Sequence, residues 1–195
     1  MKIERMGERA AIALGLDREP WRYAGVHHPL LEEAVPSREA LGLVFRAWPG
    51  MSQVRKMLRE AEVSDSPEPR SHVVSVRFDG PDLDSASETL GISRERLVRA
   101  FLEVELTVFA LGFQPGFAYL GPISPEIAGL PRLSQPRPRV AAGSVGIAED
   151  QAGIYPCESP GGWNLIGTAS DPVVDLHRGW FRFQAGDRVR FQEEG

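Results

Sequence analysis

Cysteine is almost missing from this chain: Cys157 is the one thiol in 195 residues. A lone thiol closes no intrachain disulfide and supplies no Cys cluster for zinc, so a reducing, cytoplasmic compartment is expected. Histidine is scarce as well. His27, His28, His72 and His177 show neither HExxH nor another ligand spacing, so no metal site is indicated. No Walker A sequence occurs, so the chain carries no P-loop for ATP. No run approaches the roughly 18 apolar residues of a membrane span. The N-terminal stretch MKIERMGERAAIALGL, interrupted by acidic residues, lacks the apolar segment of a signal peptide. Excess positive charge is absent too: the net charge is −5 and the pI ≈ 5.5, against the basic surface expected of a nucleic-acid binder. Lysine stands only at Lys2 and Lys56, so arginine carries most of the positive charge. What remains is 42% hydrophobic and 25% charged, ordinary for a globular protein and long enough for one large domain or two small ones.

Glycine and proline are unevenly spread. Residues 112–167 hold 10 of the 20 Gly and 8 of the 16 Pro, which excludes long helices there. Phe113, Phe117, Tyr119, Leu120, Val145, Ile147, Ile154, Tyr155, Trp163 and Leu165 recur between the breakers. That pattern predicts short buried strands joined by tight turns, and such turns can wall a rigid site.

Ahead of that stretch, 2–6 and 9–14 read as strands around Gly7-Glu8. Pro29 is placed to start a short helix through Leu30, Leu31 and Ala34. Residues 41–47 read as a strand. Val54, Met57, Leu58 and Ala61 fall at helical spacing behind Ser52, predicting a helix over 53–62 with Ser52 as N-cap. Residues 63–70 read as a loop, and HVVSVRF as a strand. Two helices and several strands in about 80 residues suggest a small α/β unit of ferredoxin-like style over 1–79, with Gly80-Pro81 as the boundary and a second domain over 80–195. There, 82–90 predicts a short helix. Ser93 caps a stronger one with the stripe Leu97, Val98, Phe101 and Leu102. Residues 106–113 predict a strand, and WFRFQAGDRVRFQ a closing hairpin turning at Ala185-Gly186-Asp187.

Several side chains carry possible chemistry. Arg132 and Arg137 lie in PRLSQPR. A guanidinium grips a carboxylate or phosphate through two parallel hydrogen bonds; a solvated, Arg-rich loop reads equally from the residues. Gln151 and Tyr155 flank Gly153, where close backbone approach is possible, and Gln can both donate to and accept from a lactam. A turn with a buried Tyr is the plainer reading. Ser144 has no base or orienting group in its motif, so a hydrogen bond to ligand or turn suits it better than nucleophilic attack. Trp163, after Pro160-Gly161-Gly162, reads as a core residue. Tyr119 reads the same way, with a hydroxyl able to face a pocket.

GFQPGFAYLG, the Arg132 and Arg137 run, AAGSVGIAEDQAGIYP and SPGGWNLIG together resemble the signature of the KipI family, also called allophanate hydrolase subunit 1 or the B subunit of 5-oxoprolinase. The likeness covers about residues 70–195. It implies an α+β protein whose second domain is a cyclophilin-like β-barrel. It also implies a non-autonomous subunit of an ATP-dependent 5-oxoprolinase, opening 5-oxo-L-proline to L-glutamate with a KipA-like protein and a LamB/YcsF-like protein as its partner subunits. The other role it implies is inhibition of a sensor histidine kinase. ATP would be used by the complex. The resemblance assigns substrate-binding roles to Arg132, Arg137, Gln151, Ser144, Tyr119, Tyr155 and Trp163, and to Glu105, since the family carries Glu at that place. The chain departs from the family pattern at Phe101, where His is usual, and at Leu106, Ala152, Thr168 and Ala169. Those losses of polar or ionisable groups fit a chain that is inactive alone.

Overall fold

In this computed structural model, which describes every residue except 18, 24 and 62–67, the chain opens on a hairpin. Strands β1 (Lys2–Met6) and β2 (Ala10–Leu14) turn at Gly7, whose φ of +66° favours glycine. A 3₁₀ turn at Pro20–Tyr23 buries Trp21 and Tyr23. Strands β3 (Leu31–Pro36) and β4 (Ala40–Phe45) complete an antiparallel sheet of order β1-β2-β4-β3. Helix α1 (Met51–Glu60) packs Val54, Met57 and Leu58 onto Ile3, Leu41, Leu43 and Phe45.

Three expectations fail in this part. Residues 31–36 are a strand, not a helix, because pairing with β4 from Leu31↔Phe45 to Pro36↔Leu41 outweighs local helical spacing. Helix α1 starts a residue ahead of Ser52, behind Gly50 with φ +95°, and no side-chain cap is made; Pro49-Gly50 sets its start. The ferredoxin-like arrangement is replaced by this four-stranded antiparallel sheet, with one α-helix among the described residues. The expected 63–70 loop falls largely outside the described residues.

The next strand, β5 (Ser71–Arg77), leads into helices α2 (Leu83–Leu90) and α3 (Arg94–Leu102). Ser93 caps α3 as expected, its hydroxyl accepting from the Arg96 amide at 3.2 Å. Strands β6 (Glu105–Leu111), β7 (Ala118–Gly121), β8 (Arg137–Val140), β9 (Ser144–Ala148), β10 (Gln151–Ile154), β11 (Ser159–Gly161) and β12 (Asn164–Ala169) follow, then β13 (Val174–Asp175), β14 (Trp180–Phe181) and β15 (Arg188–Glu193). Seven of them close a barrel in the order β10-β7-β6-β15-β5-β12-β9, sealed by β9–β10 pairing. Alternate residues of all seven fill its interior: Val74, Val108, Leu120, Val145, Ala152, Ile166 and Val189 are examples. Leu83 of α2 and Leu97 and Phe101 of α3 join the same cluster.

The chain divides into compact units at Met1–Pro69 and Arg70–Gly195, ahead of the expected Gly80-Pro81 boundary. β5 is a barrel strand, parallel to β15 and antiparallel to β12. Gly80 is no linker: a Cβ there would lie 2.3 Å from the Leu165 oxygen. The closing hairpin is also corrected. β14 pairs back onto β13, and β15 joins β5 and β6 instead. No helix among the described residues is long and apolar enough to cross a membrane.

Candidate functional site

Strand alternation turns one set of side chains of β7, β10, β9 and β12 away from the barrel interior. Reading across that outer face, Tyr119 lies opposite Gly153, Gly153 opposite Gly146, and Gly146 opposite Leu165. The glycines are required. A Cβ on Gly153 would lie 2.7 Å from the Phe117 ring, and one on Gly146 3.0 Å from Trp163 Cβ. In the space they leave, Phe117 packs edge-on against Tyr119, Tyr155 and Trp163 at centroid separations of 5.0, 5.4 and 5.6 Å. Tyr155 and Trp163 are buried and Tyr119 partly so. This is a second, aromatic core on the outside of the barrel.

The polar edge of that core is built on the β8–β11 ribbon. Arg137 pairs across it with Gly161, and a Cβ on Gly161 would lie 2.3 Å from the Tyr155 hydroxyl oxygen. Glycine there lets the phenol reach the ribbon. Burial pushes the Tyr155 phenol above its usual range, against the opposing pull of the Trp163 amide and the positive charges of Arg132 and Arg137. It therefore stays protonated at neutral pH and can donate a hydrogen bond.

Each arginine is held differently. Arg132 is exposed, but its backbone is bracketed. The buried Asn164 amide donates to Pro131 O at 3.0 Å, and the Leu133 amide donates to Gly162 O at 2.7 Å. Its guanidinium has no ion-pair partner among the described residues. Arg137 is partly buried and donates through Nη2 to Asp82, whose other oxygen accepts the Leu165 amide at 2.7 Å. Nη1 of Arg137 is buried without an acceptor among the described residues, a situation that costs about 1–3 kcal/mol. The neighbouring Arg139 points elsewhere and pairs with Glu158 at 2.9 Å.

Five of the eight predicted residues converge here: Arg132, Arg137, Tyr119, Tyr155 and Trp163. Ser144 adjoins them, its carbonyl accepting the Tyr155 amide at 2.9 Å. Gln151 is half-buried at the start of β10, opposite Ala148; neither it nor the Ser144 hydroxyl makes a side-chain hydrogen bond among the described residues. Glu105 lies apart, where β6 meets β15, and accepts from Arg190 at 2.9 Å. Asp82 and Asn164 were not among the predicted site residues. Asp82 reads as a helix-start acid, with no sequence signal linking it to Arg137. Asn164 follows Trp163 in the SPGGWN turn, and that adjacency was a signal. No group of three His, Cys, Asp or Glu suited to a metal ion occurs among the described residues.

The family model described as carboxyltransferase domain, subdomain C and D, matches residues 23–180. This chain belongs to that family, the one of KipI and allophanate hydrolase subunit 1. A protein of Escherichia coli O157:H7 named as the B subunit of 5-oxoprolinase is 36% identical over 196 residues, 94% of this chain and 89% of that protein. The Haemophilus influenzae protein of the same name is 44% identical over 117 residues, 60% of this chain and 54% of its own length. The crystal structure of TTHA0988 superposes with a TM-score of 0.81 at 36% identity, over 96% of this chain and 40% of that one. The chain therefore spans less than half of TTHA0988. Four positions where this member departs from the KipI pattern face the barrel-side core. Phe101, Leu106, Ala152 and Ala169 belong to it, Phe101 packing on Phe191 at 4.8 Å. Thr168 donates to Asp79 at 2.9 Å.

Proposed function

We propose that this chain is the B-type subunit of a cytoplasmic, ATP-dependent 5-oxoprolinase that opens 5-oxo-L-proline to L-glutamate. The names of the E. coli and H. influenzae relatives support the subunit role. The observation that carries the ligand assignment is the placement of Arg137 on the β8–β11 ribbon opposite Gly161, the residue against which the Tyr155 hydroxyl lies. 5-oxoproline has one carboxylate for a guanidinium and a lactam for a neutral donor. An unstrained lactam is a poor electrophile. Phosphorylation of its amide oxygen by ATP, with release of ADP, opens the carbonyl carbon to water; the C–N bond then breaks, the amine keeping the proton, to leave an acyl phosphate that a second water hydrolyses to L-glutamate and phosphate. In this reading the chain binds and orients substrate, with Gln151 and Ser144 at the margin. The KipA-like and LamB/YcsF-like partners bring the remaining groups and the ATP chemistry. The two compact units act as two domains, the barrel as a cyclophilin-like one.

Reconstitution tests this. ADP release dependent on 5-oxoproline is measured with both partner subunits, with and without this chain, and with the chain alone. Activity is expected only in the full mixture. Equal activity with and without this chain sinks the proposal.

A second reading, inhibition of a sensor histidine kinase, draws on the exposed Phe113, Trp180 and Phe181, since exposed apolar groups suit a protein partner. Capture of the kinase dimerisation helix in place of the 5-oxoprolinase subunits would favour it.

A further inference from the structure

We infer that Asp82 is the positioning residue of the arginine face: it fixes the Arg137 guanidinium so that Nη1 is the donor presented to a ligand carboxylate. The inference rests on the 5-oxoprolinase reading for the ligand, but not for the positioning itself.

Asp82 is almost fully buried at the start of α2. It is locked to β12 through its backbone and its side chain. Its amide donates to Leu165 O at 3.0 Å, and one carboxylate oxygen accepts the Leu165 amide at 2.7 Å. The carboxylate therefore cannot turn, and its second oxygen points to a defined place. Arg137 Nη2 occupies that place. A planar guanidinium gripped through one terminal nitrogen has its other terminal nitrogen set by geometry. That nitrogen, Nη1, is the one buried side-chain polar atom among the described residues with no acceptor. Elsewhere the protein leaves no such atom unmatched among the described residues, so this donor marks where an acceptor is missing. Arg132, exposed on its bracketed backbone, supplies the free charge that draws in an anion. Arg137, tethered, supplies direction. Nη1 is covered in the structure, so its use needs a small local opening.

The discriminating variant is Asp82→Asn. Its amide oxygen can still accept the Leu165 amide, while its NH₂ group faces Arg137 and repels it. On the full chain, 5-oxo-L-proline binding is measured by calorimetry, and the Arg137 Nη resonances are recorded in a ¹⁵N-labelled sample, assigned by their loss in Arg137→Ala. Wild type is expected to show separate Nη signals, from hindered rotation of the held guanidinium. Asp82→Asn is expected to merge them and to weaken binding as Arg137→Ala does, about 10- to 100-fold. The double variant should lose no more, because the two residues act as one unit. If Asp82→Asn does not fold, Asp82→Ser, which also keeps an acceptor for Leu165, takes its place. Merged signals in Asp82→Asn, with no binding even in wild type, leave the positioning intact and overturn the 5-oxoproline reading. Weaker binding in Arg137→Ala with unchanged binding and signals in Asp82→Asn overturns the role of Asp82 alone.

Discussion

Two buried aspartates each seize an arginine in the unit Arg70–Gly195, and they are finished differently. Asp187 is saturated. Its oxygens accept the Arg70 amide at 2.9 Å, the Arg70 guanidinium at 2.8 Å, the Gln184 amide at 2.9 Å and contact His72 Nε2 at 2.8 Å. Arg70 in turn donates to Arg182 O at 3.0 Å, and its side chain is 45% exposed, so the rest of its donors reach water. Asp82 accepts one amide and one arginine, and that arginine keeps a buried donor idle. A closed network fastens one element to another; here the start of β5 is held to the turn that feeds β15, fixing their parallel register at Ser71↔Arg188. An open network retains capacity for something else. Burial and charge alone do not separate the two aspartates, whereas counting donors against acceptors does.

The largest expected effect tests the closed side. Asp187→Ala strands two backbone amides and an arginine, and should cost about 3 kcal/mol of stability, read from urea denaturation of the full chain. The same substitution at Asp82 should cost less. If Asp82→Ala proves the more damaging and ligand affinity is untouched, the contrast collapses and both are fasteners. Next, Arg132→Ala and Arg137→Ala should each weaken 5-oxoproline binding by about 1.5–3 kcal/mol, while Arg70→Ala leaves binding alone. An equal loss from Arg70→Ala would erase the distinction between the two networks.

The sequence makes one side of this comparison far more readable than the other. The short strands within 112–167 follow from the Gly and Pro that bound them, and α3 from Ser93 and its apolar stripe, since each signal lies within a few residues of its effect. The parallel β5–β15 pair joins residues more than a hundred positions apart, and no local pattern announces it; a hairpin is the nearest local solution for 180–192. Arg132, Arg137, Tyr155 and Trp163 were legible through their motif. Asp82 stands 55 positions before Arg137 and looks like any acid at a helix start. Phe101 looked like a missing catalytic group, yet its own stripe with Leu97 already marked it as core, and its ring lies in the barrel-side cluster.

Smaller effects come from the glycine that joins Tyr155 to the open network. Gly161→Ala places a methyl within 2.3 Å of the phenol oxygen. The ring is packed on Phe117 and cannot swing freely, so about 1–2 kcal/mol of stability should be lost. Binding should weaken too, because the hydroxyl is displaced from the β8–β11 ribbon that carries Arg137. Gly112→Ala, where a Cβ meets nothing within 4 Å, is the control and should be near neutral. A neutral Gly161→Ala would mean that the phenol is not held against the ribbon.

The smallest effect is a pH dependence confined to the closed network. Burial by itself raises the Asp187 carboxyl, but hydrogen bonds from the Arg70 guanidinium, the Arg70 and Gln184 amides and His72 outweigh it and hold the group below its ordinary value. A depressed carboxyl stabilises the fold wherever the unfolded chain's carboxyl would also be ionised, that is above about pH 4. The contribution then fades as pH falls through the lower folded-state value, where the native carboxylate at last takes a proton. The sign is thus a loss on acidification, with no change between pH 5 and 8 from this group. Urea midpoints of wild type and Asp187→Asn, followed from pH 6 down to about pH 2.5, should differ by a gap that is constant at first and narrows below about pH 4. Asn cannot ionise, so it serves as the pH-independent reference at this position, and the exposed carboxylates common to both proteins cancel. A gap that persists unchanged to the acid end would show that Asp187 works through shape and neutral hydrogen bonds rather than charge. Its grip on Arg70 would then be no stronger in kind than the grip of Asp82 on Arg137.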